Sequence, residues 1–324
     1  FDNTSWLLME RIVRMFVALF VGVYIARYLG PERFGLLSYA NSFVGLFLAL
    51  ATLGIDSIVI RELVKRPECS CEILGTAFCL KICGTIFMWF AIVLTLPFTE
   101  NDTQTNLFIS IIAFAILFQA FNVIDFNYQA EVKSKYVVQV KFIQLLISSI
   151  AKLFLIYIKA PLLWFVWVYC FDALFLAVGL VVMYLLTSGY IGLWRWNLKV
   201  ARELLKDCWP LIFSGVLVSI YVNIDQVMIK EMIGVKSVGI YSVATRLSTV
   251  WYFIPIAVTD SIFPAILNAK NNNLDSYYQR LQNLYDILVW IAILIALSIL
   301  FFSEYIIDLF FGQEYNPAAS VLSI

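Results

Sequence analysis

The chain of 324 residues contains no histidine, and only 14% of its residues are charged. Without histidine it lacks the commonest metal ligand and the side chain that titrates near neutrality. Charge is also balanced, with 22 Lys plus Arg against 22 Asp plus Glu, so no basic excess invites nucleic acid as a partner. No Asp-x-Asp sugar-nucleotide motif occurs, and no loop is large enough to house a catalytic site, which counts against a membrane glycosyltransferase or polymerase. The six cysteines form no disulfide framework: Cys79, Cys83, Cys170 and Cys208 lie in or beside apolar runs, and Cys69-Ser-Cys71 lies in a basic loop without zinc-ligand spacing. Neither a metal nor a cofactor is expected.

Apolar residues fill the space these absences leave. The composition is 62% hydrophobic and 16% aromatic, with a mean hydropathy of +0.90, which points to lipid as the solvent. Charge-free stretches such as Phe34 to Ile55, Thr103 to Ile124 and Ala173 to Trp194 approach or exceed the roughly 20 residues that cross a bilayer as helix. They are apolar on all faces and show no alternation of period two, so an outer-membrane barrel is set aside. The reading is an all-α polytopic membrane protein with spans at 6–28, 36–59, 73–98, 107–125, 137–158, 162–186, 208–232, 238–267 and 284–303, and a tenth starting near Asn316. The chain opens on Phe1 without an initiator Met or a cleavable signal pattern and is expected to be clipped at both ends.

Basic residues give the orientation, because Lys and Arg resist translocation. Loops after even-numbered spans hold eleven, among them Arg61, Lys65, Arg66, Lys133, Arg195 and Arg202, against five after odd-numbered spans, so the N-terminus is placed in the cytoplasm. The segment 188–207 alternates Trp194, Trp196, Leu198, Ala201 and Leu204 with Arg195, Lys199, Arg202 and Lys206. It is expected to lie as an interfacial amphipathic linker on anionic headgroups, between a six-helix bundle at 1–187 and a second bundle at 208–324.

Offsetting the sequence against itself by 204 residues aligns Gly30 with Gly234, Gly35 with Gly239, Ser38 with Ser242, Ala40 with Ala244 and Asp56-Ser57-Ile58 with Asp260-Ser261-Ile262. Ten identities fall in the 41 positions from Val23 to Leu63. Six spans separate the copies, so the repeat is parallel, two bundles about an axis along the membrane normal with a central cavity between them, the second bundle incomplete in this chain. Gly30 with Pro31, and Gly35 beyond, suit a tight helix-turn-helix in which glycine takes positive φ and proline starts the next helix.

At these segments the chain resembles the Wzx-type polysaccharide flippases of the multidrug/oligosaccharidyl-lipid/polysaccharide exporter superfamily. The resemblance rests on Ala26-Arg27-Tyr28-Leu29-Gly30-Pro31-Glu32-Arg33-Phe34-Gly35, Leu53-Gly54-Ile55-Asp56, Arg61-Glu62, Asn223-Ile224-Asp225, Ile233-Gly234 and Gly239-Ile240-Tyr241-Ser242. It implies a cavity that carries an undecaprenyl-diphosphate-linked oligosaccharide across the bacterial inner membrane by alternating access. The implied partners are that lipid-linked substrate, membrane lipids, a polysaccharide polymerase and a chain-length regulator. The alternative within the superfamily is a multidrug cation antiporter, which should present acidic charge to its cavity.

Charges at membrane depth are costly and usually face a cavity or a partner. Arg246 lies about 12 Å inside the eighth span, too deep to snorkel, and offers a planar fork for phosphate; an ion pair to Asp225 or Asp260 is the blander reading. Arg14, beside Glu10 and Arg11, is either cavity lining or an interfacial anchor. Lys81, Lys141 and Lys152 add three cations to the first bundle as candidate substrate contacts, with a salt bridge from Lys152 to Asp172 as the plainer alternative. Asp225 and Asp172 are candidates for binding a coupling ion. Asp56 and Asp260 recur in both halves near span ends and read as structural, and Pro255, with Pro264, is a candidate hinge in the eighth span.

Overall fold

The protein is described by a computed structural model covering residues 2–187, 191–272 and 274–324; the side chains of Arg11, Asp260 and Pro264 are among those outside the described set. Twelve α-helices follow one another, with no strand among the described residues: α1 (Asp2–Thr52), α2 (Asp56–Lys65), α3 (Ser70–Thr95), α4 (Thr103–Ala115), α5 (Val123–Ala130), α6 (Lys135–Tyr157), α7 (Leu162–Thr187), α8 (Leu198–Met232), α9 (Val235–Val250), α10 (Phe253–Asn272), α11 (Leu274–Phe311) and α12 (Pro317–Leu322). The chain is thus an all-helical polytopic membrane protein, with seven helical stretches among the described residues long and apolar enough to cross a bilayer. Phe87, Phe90 and Val93 on α3 and Trp290, Leu294 and Phe301 on α11 are exposed, a surface suited to lipid and unsuited to water.

One of those stretches, Ile12–Lys65, has 54 residues and would measure about 80 Å if straight, far more than the hydrocarbon thickness. It folds back at Gly30, whose φ of 69° and ψ of 170° interrupt α1. Arg246 shows the fold directly. Its guanidinium carbon stands 5.4 Å from the Phe34 ring, and its Nη1 is 2.3 Å from where a Cβ on Gly22 would be. In a continuous helix those two residues would be about 18 Å apart. Hence α1 is two antiparallel arms, and Pro31 opens the second, where its missing N–H has no intrahelical role to fill.

Gly234 (φ 118°) before α9 and Gly312 (φ 86°) after α11 make similar turns. All three turns gather at one end of the molecule: Gly30 faces the Glu314 carboxylate, and the Tyr315 hydroxyl donates to Ala26 O at 2.9 Å. The opposite end collects the basic residues. There α2 meets the start of α8 through ion pairs Arg61–Asp207 and Arg66–Glu203, the latter at 3.0 Å.

Two expectations are corrected. In the 188–207 segment, residues 188–190 lie outside the described set, and from Leu198 the helix is not a separate element but runs unbroken through α8. Part of its apolar face packs on the first bundle, Ala201, Leu204 and Cys208 being buried with Ile58, Val59, Ile73 and Leu74, while Trp196, Leu198 and Leu205 stay exposed. Asn197 fastens it further, its backbone N–H donating to Thr76 Oγ1 at 3.1 Å and its amide to Glu72 at 2.6 Å. The eighth span, in turn, is two helices parted at Trp251–Tyr252, not one bent helix. Pro255 sits in the first turn of α10, where a proline costs no hydrogen bond.

Candidate functional site

The two bundles meet along α1, α8 and α9, and the closest approach is made by the repeated glycines. A Cβ on Gly35 would stand 2.1 Å from Val235 O, and one on Gly239 would stand 1.9 Å from Pro31 O. Since 35 and 239, and 31 and 235, are equivalent positions in the repeat, the contact is isologous and the pseudo-twofold axis passes between the two helices. Gly35 therefore belongs to this helix crossing and not to the turn at Gly30. Lys230 adds a tie at the same end: its Nζ donates to Glu100 O at 3.0 Å and lies 5.2 Å from the buried Tyr39 ring.

Beyond the glycine crossing, toward the basic end, the bundles part around a cavity of about 640 Å³. Its walls come from the second arm of α1 (Phe34, Leu37, Ser38, Asn41, Ser42), from α7 (Tyr169), from α8 (Tyr221 to Gln226) and from α9 with the turn after it (Tyr241, Ser242, Thr245, Arg246, Tyr252). Ser38, Asn41 and Ser42 stand at i, i+3, i+4, and the same offset of 204 carries them onto Ser242, Thr245 and Arg246. Two equivalent polar stripes thus face one cavity, and the symmetry is broken where Ser42 is replaced by Arg246. The pattern is visible in the sequence once the repeat is laid over the helical period, whereas charge alone does not reveal it.

Among the described residues, Arg246 is the one lysine or arginine on this cavity wall. Its guanidinium lies over Phe34 and has no carboxylate within salt-bridge distance among the described residues. Asp225 is on the same wall and accepts a hydrogen bond from the Tyr241 hydroxyl at 2.7 Å, so it is not paired with Arg246. Asn223, two residues earlier on α8, donates to Ser219 O at 2.9 Å and directs its Oδ1 at Gly45.

The other expected cations are placed elsewhere, each beside a carboxylate. Lys81 is buried within the first bundle, 2.9 Å from Asp56 and 4.5 Å from the Phe126 ring. Lys141 meets Asp125 at 2.7 Å, and Lys152 meets Asp172 at 2.9 Å, with Ser148 bonded to both partners of the latter pair. Arg14 pairs with Glu10 one turn earlier on the first arm. A cavity lined by five free cations is therefore not what the structure contains: only Arg246 of that set lines it, because the neighbouring helices supply the aspartates that neutralise Lys81, Lys141 and Lys152. Asp172 is engaged with Lys152 and lies away from Asp225. Asp56 opens α2 as the partner of Lys81, and the Asp260 side chain lies outside the described residues.

The profile of the family described as "Polysaccharide biosynthesis protein" matches residues 1–270. The chain belongs to that family. Among solved structures, this family member is similar to the inward-facing conformation of a multidrug resistance MATE family transporter of the MOP superfamily, with a TM-score of 0.67 and 14% identity over 96% of this chain and 75% of that one. It is also similar to a MATE structure in the bent conformation, with a TM-score of 0.58 and 16% identity over 100% of this chain and 78% of the other. At such identities the likeness is one of fold. A comparison with curated protein sequences gives no match.

Proposed function

We propose that this polysaccharide biosynthesis family member is a flippase that moves an undecaprenyl-diphosphate-linked oligosaccharide from the cytoplasmic to the outer leaflet of the bacterial inner membrane by alternating access, and is not an enzyme. The observation that carries the reading is Arg246. An arginine without a carboxylate partner, held on the wall of a membrane cavity, is costly unless it serves an anion, and its fork matches the geometry of a phosphate oxygen pair. Hydroxyl, amide and tyrosyl groups from Ser38, Asn41, Tyr221, Thr245 and Tyr252 surround it, a lining suited to sugar hydroxyls. With the basic end assigned to the cytoplasm by its lysines and arginines, the cavity faces the leaflet on which such a cargo is assembled, and the glycine crossing closes the far side. Rocking the bundles about that crossing would expose the cavity to the other leaflet. A polymerase and a chain-length regulator would act on the delivered repeat units.

A second reading, a cation antiporter, is favoured by one observation, the Asp225 carboxylate on the same wall. The two readings separate experimentally. In the deletion strain lipid-linked repeat units should accumulate on the cytoplasmic leaflet, with Arg246→Ala failing to complement and Arg246→Lys complementing in part. Unchanged surface polysaccharide in the deletion strain, together with hypersensitivity to cationic drugs, would favour the antiporter.

A further inference from the structure

Two glycines of α1, one on each arm, lie directly under polar side chains reaching across from the second bundle. At Gly22 the three atoms nearest to an added Cβ all belong to Arg246, the closest being Nη1 at 2.3 Å; at Gly45 all three belong to Asn223, with Oδ1 at 2.6 Å. Both distances are far inside van der Waals contact, so each guest occupies the volume that a side chain on α1 would take. Neither glycine makes a turn: both lie within helix without positive φ, where glycine costs stability relative to alanine. Backbone geometry therefore gives no reason for glycine at either position, whereas the guests do.

We propose that Gly22 and Gly45 are positioning residues for the cavity: each missing side chain is a seat, one for the Arg246 guanidinium and one for the Asn223 amide. The inference rests on the reading of Arg246 as the phosphate contact, with Asn223 on the same cavity wall. A long arginine that is already seated against Gly22 and over Phe34 gives up less rotamer freedom when phosphate arrives. The seats belong to the first bundle and the guests to the second, so the arrangement holds only while the bundles stand as they do here. Rocking withdraws the guests, and affinity for the anion falls in the other state, which is the differential that release requires.

The added methyl of Gly22→Ala meets only the far end of a flexible side chain, so the variant folds. In nanodiscs, its affinity for undecaprenyl diphosphate is expected to drop about tenfold, the effect of misaligning one charge-assisted contact. In an Arg246→Lys background the same substitution should cost less than about twofold, because a rotatable ammonium has no fork to align. Equal losses in the two backgrounds, or no loss in either, would overturn the proposal. A cargo-free measurement separates this idea from the flippase reading. Gly22→Ala should raise the Tm when Arg246 is alanine, where helix propensity is regained in vacated space, and should not raise it when Arg246 is present. The same cycle applies to Gly45→Ala with Asn223→Ala. Identical Tm shifts in both backgrounds would show that the glycines seat nothing, whether or not the protein binds the diphosphate.

Discussion

Gly35 and Gly239 occupy equivalent positions in the two halves of the chain, and each faces a backbone carbonyl of the other's helix, that of Val235 and that of Pro31. Because carbonyls cannot rotate aside as side chains do, any Cβ here must drive the helices apart. Gly35→Ala and Gly239→Ala are each expected to destabilise the protein by about 1–3 kcal/mol, the usual range for overpacking. The double variant should cost less than the sum, since the separation forced by the first methyl makes room for the second. Thermal unfolding of the four proteins in detergent checks this, and strict additivity would mean that the two sites are not one contact.

The Lys81–Asp56 pair is lopsided: the Lys81 side chain is 5% exposed and that of Asp56 is 49% exposed. Removing the aspartate strands a buried ammonium, whereas removing the lysine leaves a carboxylate that water can reach. Asp56→Ala should therefore destabilise by about 3–5 kcal/mol and Lys81→Met by distinctly less. Comparison of the two unfolding temperatures decides it.

Around Lys152, Asp172 and Ser148 the same logic predicts a rescue. Asp172→Leu alone leaves Lys152 without its carboxylate, while Lys152→Met with Asp172→Leu replaces the pair by apolar groups of similar size. The double variant should be more stable than the single aspartate variant. If this pair carried a coupling ion, transport would be lost in both; if it is structural, transport should return with stability in the double variant.

Asp102 caps the start of α4, accepting hydrogen bonds from the hydroxyl and the backbone N–H of Thr105, the latter at 3.1 Å. The Thr105 hydroxyl, chiefly, holds its carboxyl below the ordinary carboxylate range. A lowered folded pKa means that the unfolded chain protonates first, so the contribution is complete above the unfolded value and disappears as pH falls through the lowered folded one. Asp102→Ala should cost about 1 kcal/mol at neutral pH and less in strong acid, where only the neutral cap is left to lose, and Asp102→Asn should keep most of the cap. Unfolding measured from pH 7 downward gives the test.

Hydropathy and the punctuation of glycine, proline and charge determined by themselves that the chain is helical and membrane-spanning, that it turns at Gly30 and Gly234, and that two parallel copies of one motif exist. These are local or periodic properties: a run of apolar residues, or a glycine followed by proline, has the same conformational meaning whatever lies beside it. Which charge meets which lay mostly beyond that reach: the short turn at 159–161 sets Lys152 beside Asp172 in the sequence itself, but Lys81 and Lys141 carry no mark distinguishing them from Arg246, and only the packing of neighbouring helices supplies Asp56 and Asp125 to those two and no carboxylate, among the described residues, to Arg246. The apolar face at Ala201 and Leu204 was legible as amphipathic, yet sequence could not say whether lipid or protein would cover it. Gly22 and Gly45 were silent for the same reason: a glycine within a helix acquires its purpose from the side chain that crosses over it, and that crossing is made by residues some 200 positions away in the chain.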